Sequence, residues 1–178
     1  SVAAAALNAL DGKTTVAINA SNITTLTGSA ADLITAYASS GISGLGNEAV
    51  TLSDTTLAVS VLNTLDGNTS GAINAVSINT LTGAAADLIT AYASSGISGL
   101  GNEAVTLSDT TLAASVLNTL DGNTSGTINA SAVTTITGTA TDLITAYTSS
   151  GISGLGNEAI TLTDTTLAAS VLNTLDGN

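Results

Sequence analysis

The amino-acid sequence predicts an α/β solenoid, in which stacked coils combine short strands with helices. Two segments recur at a fixed interval of 55 positions, without insertion or deletion: Leu-Asn-x-Leu-Asp-Gly from Leu7, Leu62, Leu117 and Leu172, and Gly-Ile-Ser-Gly-Leu-Gly-Asn-Glu-Ala from Gly41, Gly96 and Gly151. The stretches 56–110 and 111–165 differ at 12 positions, mostly by exchanges among small and branched residues. A fixed period with conservative exchanges is typical of stacked arrays, because each unit covers the apolar face of its neighbour.

The period also predicts the domain organisation. We interpret the chain, 1–178, as one continuous array, with repeats 1–55, 56–110 and 111–165 followed by a partial fourth repeat, 166–178. The partial repeat corresponds to Ser1–Lys13, so the sequence starts and stops at the same phase. We therefore expect it to belong to a longer array.

The composition indicates a thin core. Hydrophobic residues make up 44% of the chain, yet it has no Phe, Trp or Met and only three Tyr. Ala, Val, Ile, Leu and the methyl groups of Thr must fill the interior, which suits closely spaced layers better than one large globule. The chain also has no Pro, so every residue can donate a backbone hydrogen bond.

The first half of a repeat, taken from Ala104, predicts a strand followed by a helix. Ala104–Ser108 alternates apolar and polar residues, as a half-buried strand does. Asp109 is then an expected N-cap for a helix Thr110–Leu120, which Gly122 ends as a C′ glycine. The predicted buried face of this helix follows the i, i+3, i+4, i+7 spacing at Ala113, Val116, Leu117 and Leu120.

The second half repeats the pattern. Thr127–Ala130 is predicted as a strand, and a single helical turn from Val133 to Ile136 closes at Gly138. A helix Thr139–Ser149 follows, with its buried face at Ala140, Leu143, Ile144 and Tyr147.

Capping residues support this second helix. Thr139 and Asp142 match a capping box, as do Ser29 and Asp32, whereas the middle repeat has Ala84. After Gly151, Ile152–Gly156 is expected to cross in extended form to the next strand. The alternative is an all-β solenoid, a parallel β-helix with three coils of about 18 residues per repeat, which abundant Thr and Gly would suit.

Acidic residues occupy four fixed positions in each repeat. Thirteen acids against one Lys give a net charge of −12, which excludes electrostatic binding to nucleic acid or to an anionic membrane. We interpret the acids mainly as aligned columns that keep the array soluble. They are Asp11, Asp66, Asp121 and Asp176; Asp32, Asp87 and Asp142; Glu48, Glu103 and Glu158; and Asp54, Asp109 and Asp164.

Two further columns have structural interpretations. Asn19, Asn74 and Asn129 lie inside a predicted strand, where inward amides of stacked coils can form a hydrogen-bonded ladder. Tyr37, Tyr92 and Tyr147 are expected to be core residues whose hydroxyls reach an edge.

The sequence predicts no enzyme, and it offers no catalytic, cofactor-binding or metal-binding residue. With no His, Cys or Arg, a Ser or Thr nucleophile has no ordinary base beside it. Asp66-Gly67-Asn68 and its copies suggest a calcium turn, but the EF-hand spacing is missing. Weak Ca²⁺ binding is the most that this segment favours. No apolar run is long enough to predict a membrane span.

The chain resembles a family of giant surface proteins. Asn102–Asn123, together with Thr-Leu-Thr-Gly-x-Ala-Ala-Asp-Leu from Thr25 and Thr80, is similar to repeats in very large cell-surface proteins of marine picocyanobacteria, the type linked to swimming. The resemblance covers the whole chain. It implies a secreted, acidic, extended component of a surface filament or layer, and it carries no catalytic residues.

These observations favour a structural repeat segment of a very large secreted or cell-surface protein, acting as a rod, a spacer or a building unit of a filament or surface layer. The alternative is a multivalent adhesin or calcium-stiffened stalk, with weak sites repeated along one face and an extracellular matrix component or a glycan as partner. The expected location is extracellular or at the cell surface. The expected partner is a second copy, stacked head to tail through the apolar ends Ser1–Leu10 and Thr166–Leu175.

Overall fold

The computed structural model describes residues 1–177, which form repeated strand–helix units with parallel sheets. The seven helices are α1 (Ala4–Asp11), α2 (Ala30–Ala38), α3 (Val59–Asp66), α4 (Ala85–Ala93), α5 (Ala114–Asp121), α6 (Ala140–Thr148) and α7 (Ala169–Asp176). The fifteen short strands are β1 (Val2–Ala3), β2 (Ile18–Asn19), β3 (Thr25–Gly28), β4 (Ile42–Ser43), β5 (Ala49–Leu52), β6 (Thr56–Ala58), β7 (Ile73–Asn74), β8 (Thr80–Gly83), β9 (Ile97–Ser98), β10 (Ala104–Leu107), β11 (Thr111–Ala113), β12 (Ile128–Asn129), β13 (Thr135–Gly138), β14 (Ile152–Ser153) and β15 (Ala159–Leu162). Strand–helix units are therefore confirmed, and the all-β alternative is wrong.

The chain divides by its contacts into two compact units. The first comprises Ser1–Asn79 and Thr90–Leu100, and the second comprises Thr80–Ile89 and the described residues from Gly101 onward.

The first unit contains a five-stranded parallel sheet, β1-β3-β5-β7-β9, and a two-stranded parallel sheet, β2-β4. Its helices pack in chain order, α1 against α2 and α2 against α3. Aligned side chains of the larger sheet, Leu26, Val50 and Ile73, are at most 1% exposed, and α3 buries Val59, Leu62 and Leu65.

The second unit is built in the same way. β8, β10, β12 and β14 pair side by side in parallel, and so do β11, β13 and β15. Helix α5 packs against α6, and α6 against α7. Helix α5 buries Ala114, Leu117 and Leu120, which lie on the apolar stripe that a helical period creates.

The strand register has the same two spacings in both units. Paired residues are 24 positions apart, as in Leu26↔Val50, or 23 apart, as in Val50↔Ile73 and Val105↔Ile128. Successive paired strands therefore lie 23 or 24 positions apart, and two such steps are shorter than one sequence repeat, such as Leu62 to Leu117.

Several predicted elements shift. The expected helix Thr110–Leu120 begins only at Ala114, because Thr111–Ala113 pairs with β13 as strand β11. The expected helical turn from Val133 to Ile136 is wrong, since Ile136 belongs to strand β13. The expected extended crossing Ile152–Gly156 begins instead with a paired strand, β14.

Glycines at element ends also differ from expectation. Gly122 has φ −71° and ψ −14°, a right-handed conformation that any residue could adopt. It is therefore the C-cap of the helix and not the left-handed C′ glycine that the sequence predicts. Gly138, in contrast, has φ +155° at the end of β13. The predicted strands Ala104–Ser108 and Thr127–Ala130 and the helix Thr139–Ser149 are confirmed, with ends that differ by no more than a residue or two.

Candidate functional site

One aspartate of each repeat caps a helix from the preceding turn of the chain. The Oδ2 atoms of Asp54, Asp109 and Asp164 accept hydrogen bonds of 2.8 Å from the first backbone N–H of α2, α4 and α6, each 24 residues earlier. Negative charge at a helix N-terminus is favourable, because the first N–H groups lack partners within the helix. The prediction that Asp109 caps the helix that follows it is therefore wrong: that helix, α5, starts from Ala113 with no side-chain cap.

Replacing Asp109 with alanine is expected to cost about 1 kcal/mol of unfolding free energy, the usual value of a lost N-cap. Hydrogen exchange should quicken at the amide of Ala85, which loses its acceptor, and stay unchanged in the first turn of α5. Asp109→Asn is the control, since it keeps an oxygen at the same place. Faster exchange at the start of α5 instead of α4 would contradict this assignment.

A second aspartate holds the loop after the next helix. The Oδ2 atoms of Asp11, Asp66 and Asp121 accept hydrogen bonds of 2.6–2.8 Å from the hydroxyls of Ser39, Ser94 and Ser149, 28 residues later. Each serine Oγ in turn accepts from the backbone N–H of the glycine two positions on, at 3.0 Å. A Cβ on those glycines would overlap the aspartate carboxylate, so the carboxylate would have to move to admit any larger residue. The carboxylate of Asp66, a residue of the segment that suggests a calcium turn, thus accepts a hydrogen bond from the Ser94 hydroxyl.

The third aspartate belongs to the predicted capping boxes. The Ser29 hydroxyl accepts a hydrogen bond from the backbone N–H of Asp32 at 3.2 Å and donates one to the Asp32 carboxylate at 2.7 Å. The Thr139 hydroxyl makes the same two bonds with Asp142. The N-cap bond of both predicted capping boxes is therefore confirmed, and the aspartate carboxylate accepts from the N-cap hydroxyl.

The glutamate of the first two repeats is a buried acid. Glu48 and Glu103 are 2% and 1% exposed. Both carboxylate oxygens of Glu103 accept from the backbone N–H of Gly101 at 2.9 and 3.0 Å, and those of Glu48 accept from Gly46 at the same distances. A buried carboxylate requires such donors, because it loses its water. Each glutamate therefore fixes the glycine-rich turn in front of it.

The tyrosine column lies against these glutamates. The hydroxyl of Tyr147 donates to Glu158 Oε2 at 3.0 Å. Burial, together with the neighbouring carboxylate of Glu158, raises the pKa of Tyr147 to about 12. Burial also raises the pKa of Tyr37 above its ordinary value, and Glu48 adds to that shift. Both rings are half-buried, so they are boundary residues of the core with inward hydroxyls.

These shifts predict a loss of stability at alkaline pH. A raised pKa means that the fold favours the neutral phenol, so the stability it contributes is complete below pH 10 and declines as pH rises towards about 12. A near-ultraviolet titration of tyrosinate should show a component near pH 12 that Tyr147→Phe removes. In denaturant, all tyrosines should ionise near the ordinary value of 10. A native titration complete near pH 10 would contradict the burial of these hydroxyls.

The prediction of an asparagine ladder is wrong. Asn19, Asn74 and Asn129 are exposed, and each Oδ1 accepts from the backbone N–H two residues on, at 3.0–3.1 Å. The side chain thus closes a local turn after a two-residue strand, as asparagine commonly does.

The feature that sequence reasoning missed is a close approach between turns at Gly71 and Gly126. A Cβ at either position would overlap the backbone carbonyl of Glu48 or Glu103, respectively. Thr69 fixes the approach: its buried hydroxyl donates to the carbonyl of Glu48 at 3.0 Å and accepts from the N–H of Gly71 at 2.9 Å, and Thr124 makes the equivalent pair of bonds. The signal in the sequence was that the first repeat has Val16 at this position.

The four acidic positions thus bind the protein's own backbone and hydroxyl groups. Among residues 1–177, no group of three or more acids gathers as a metal site would require. Within the same residues, no helix has the length and apolar character needed to cross a membrane. Comparisons with protein-family models, curated proteins and solved structures found no match to this chain.

Proposed function

We propose that this chain is a structural repeat segment of a very large secreted or cell-surface protein, in which it serves as a rod, spacer or filament building unit. One observation carries the proposal: acids that could have formed a site are bonded to the protein's own groups, and two acids in each full repeat bond to groups 24 or 28 positions away. Asp54, Asp66 and Glu48 each bond to backbone or hydroxyl groups of the chain itself. A row of such joints stabilises an array and leaves these acids bonded to the chain itself, so we propose no enzymatic role.

We propose further that the turns stack as an α/β solenoid with the 55-residue period. Three full repeats end at Thr165, and seven turns of 23 or 24 positions each cover the same stretch of chain. One repeat would then advance the stack by two and one third turns. Parallel strands of two to four residues, placed in register by this spacing, support the proposal.

The resemblance of Asn102–Asn123 to repeats of giant surface proteins supports an extracellular location, as does the net charge of −12, which suits a saline medium. That charge opposes binding to nucleic acid or anionic lipid. The partner that we propose is a second copy, stacked head to tail.

Small-angle scattering on chains of two, three and four repeats tests this proposal. With about 4.8 Å between neighbouring parallel strands, each repeat should lengthen the particle by about 11 Å at constant cross-section. A maximum dimension that stays flat, or a cross-section that grows as repeats are added, would contradict the solenoid.

A further inference from the structure

Helices α3 and α5 each end in an Asp-Gly pair, Asp66-Gly67 and Asp121-Gly122. Among aspartyl pairs, Asp-Gly is the most open to spontaneous ring closure, because glycine has no side chain to keep its nitrogen away from the preceding carboxyl group. The chain has no Asn-Gly pair, which would react in the same way. Chemical ageing of this backbone is therefore expected to concentrate at its Asp-Gly pairs.

The reaction closes a five-membered ring between the two residues of a pair. The backbone nitrogen of Gly67 attacks Cγ of the Asp66 carboxyl group, a C–N bond forms, and the carboxyl hydroxyl leaves with the amide proton as water. A water molecule then opens the ring at one of its two carbonyls. Opening at Cγ restores aspartate, whereas opening at the backbone carbonyl leaves isoaspartate, whose main chain runs through Cβ. The product has the mass of the starting chain, and no reagent other than water takes part.

The fold holds the attacking nitrogen away from this ring. The N–H of Gly67 donates to the carbonyl of Asn63 at 3.1 Å, and the N–H of Gly122 donates to the carbonyl of Asn118 at 3.1 Å. Asp66 is the last residue of α3, and its backbone must rotate out of the helical conformation before the next nitrogen can reach Cγ. Ring closure therefore requires the last turn of the helix to open, a local event that does not involve the whole protein.

A serine 28 residues later holds the carboxylate as well. Oδ2 of Asp66 accepts a hydrogen bond from Ser94 Oγ at 2.8 Å, and Oδ2 of Asp121 accepts one from Ser149 Oγ at 2.7 Å. The other oxygen of Asp66, Oδ1, lies so close to Gly96 that a Cβ on this glycine would overlap it. The carboxylate cannot turn Cγ towards the attacking nitrogen without breaking a charge-assisted hydrogen bond.

We propose that Asp66 and Asp121 are sites of spontaneous isomerisation to isoaspartate, and that the hydroxyls of Ser94 and Ser149 restrain this reaction by holding the two carboxylates. Isomerisation lengthens the main chain by one atom between α3 and β7, a strand whose register is fixed by pairing with β5. Each serine–aspartate bond lies within one compact unit, so the restraint does not depend on the proposed stacking of turns.

Ser94→Ala tests the restraint, with Ser95→Ala as its control. The variants and the natural chain are incubated under native conditions and cleaved after glutamate, and isoaspartate is measured in each peptide by electron-transfer mass spectrometry. Isoaspartate at Asp66 should form about tenfold faster in Ser94→Ala, which corresponds to about 1.4 kcal/mol, near the low end of what a hydrogen bond to a charged group contributes. The rate follows the population of the opened helix end, which the lost bond increases. Ser95 is an exposed neighbour, so Ser95→Ala should react at the rate of the natural chain.

Asp121 is a second control within the same molecule, because Ser149 is unchanged in Ser94→Ala. The segments 62–71 and 117–126 have identical sequences, so the two aspartates should react at equal rates in denaturant. A rise at Asp66 alone supports the restraint. An equal rise at both aspartates would show that the variant unfolds globally, and it would overturn the local role of Ser94.

Two further results would also overturn the proposal. One is an unchanged rate at Asp66 in Ser94→Ala, which would mean that the serine bond does not limit the reaction. The other is a natural chain that forms isoaspartate as fast when folded as in denaturant, which would mean that the fold offers no protection. Both results leave the growth of particle length with repeat number untouched, so they are distinct from failure of the proposed function.

Discussion

Gly71→Ala is expected to destabilise the protein by about 3 kcal/mol, at the upper end of what forced overpacking costs. The new Cβ would overlap both the carbonyl carbon and the oxygen of Glu48, and neither atom belongs to a flexible side chain. To relieve the overlap, the two turns must separate, which weakens the bonds that Thr69 makes between them. Chemical denaturation of the natural chain and the variant measures the difference.

Gly67→Ala is the matched control, four positions away. A Cβ at Gly67 would lie 3.5 Å from the carbonyl oxygen of Thr64, an ordinary contact. Gly67 also has a right-handed conformation, with φ −70°, so alanine should be neutral or stabilise by about 0.5 kcal/mol. Similar losses at both positions would mean that Gly71 does not mark a close approach between turns.

Glu103→Ala should also cost about 3 kcal/mol, because the N–H of Gly101 loses both carboxylate oxygens and a cavity opens at a site that is 1% exposed. Glu158→Ala supplies the comparison within the same chain. Glu158 is half-buried and accepts 2.8 Å and 3.0 Å bonds from Gly156 and Tyr147, so the loss there should be about 1 kcal/mol.

The order of these two losses is the decisive result. Equal costs at Glu103 and Glu158, or a negligible cost at both, would contradict the view that each buried glutamate fixes the glycine-rich turn in front of it. Glu103→Gln should fall between, because the amide keeps the volume and one acceptor oxygen while it loses the charge.

Local patterns in the sequence predict the helices and strands well, but they predict poorly which distant residues a side chain contacts. Alternation at Ala104–Ser108 and the capping box at Thr139 involve neighbours within a few residues, and both elements form. Asp109 was assigned to the helix that follows it, whereas its carboxylate lies at a helix 24 residues earlier. Secondary-structure propensity depends on neighbouring residues in the chain, and no local pattern specifies a hydrogen-bond partner 24 residues away.

The spacing between paired strands could not be predicted from the sequence repeat either. A 55-residue repeat suggests that a whole number of turns fits within it, yet paired strand residues lie 23 or 24 positions apart. The position of Val16 was visible as a departure from Gly71 and Gly126, but its meaning depends on the carbonyl that those glycines approach.

Strands 23 or 24 positions apart lie in parallel register, and scalar couplings across hydrogen bonds measure this directly by NMR. We predict a coupling from the amide nitrogen of Val50 to the carbonyl carbon of Ala72, and another from Val105 to Thr127. A third coupling is expected from Ala49 to Thr24, which places β5 between its two neighbours. Couplings from these amides to carbonyls at any other spacing, or an antiparallel pattern between the same strands, would contradict the parallel register.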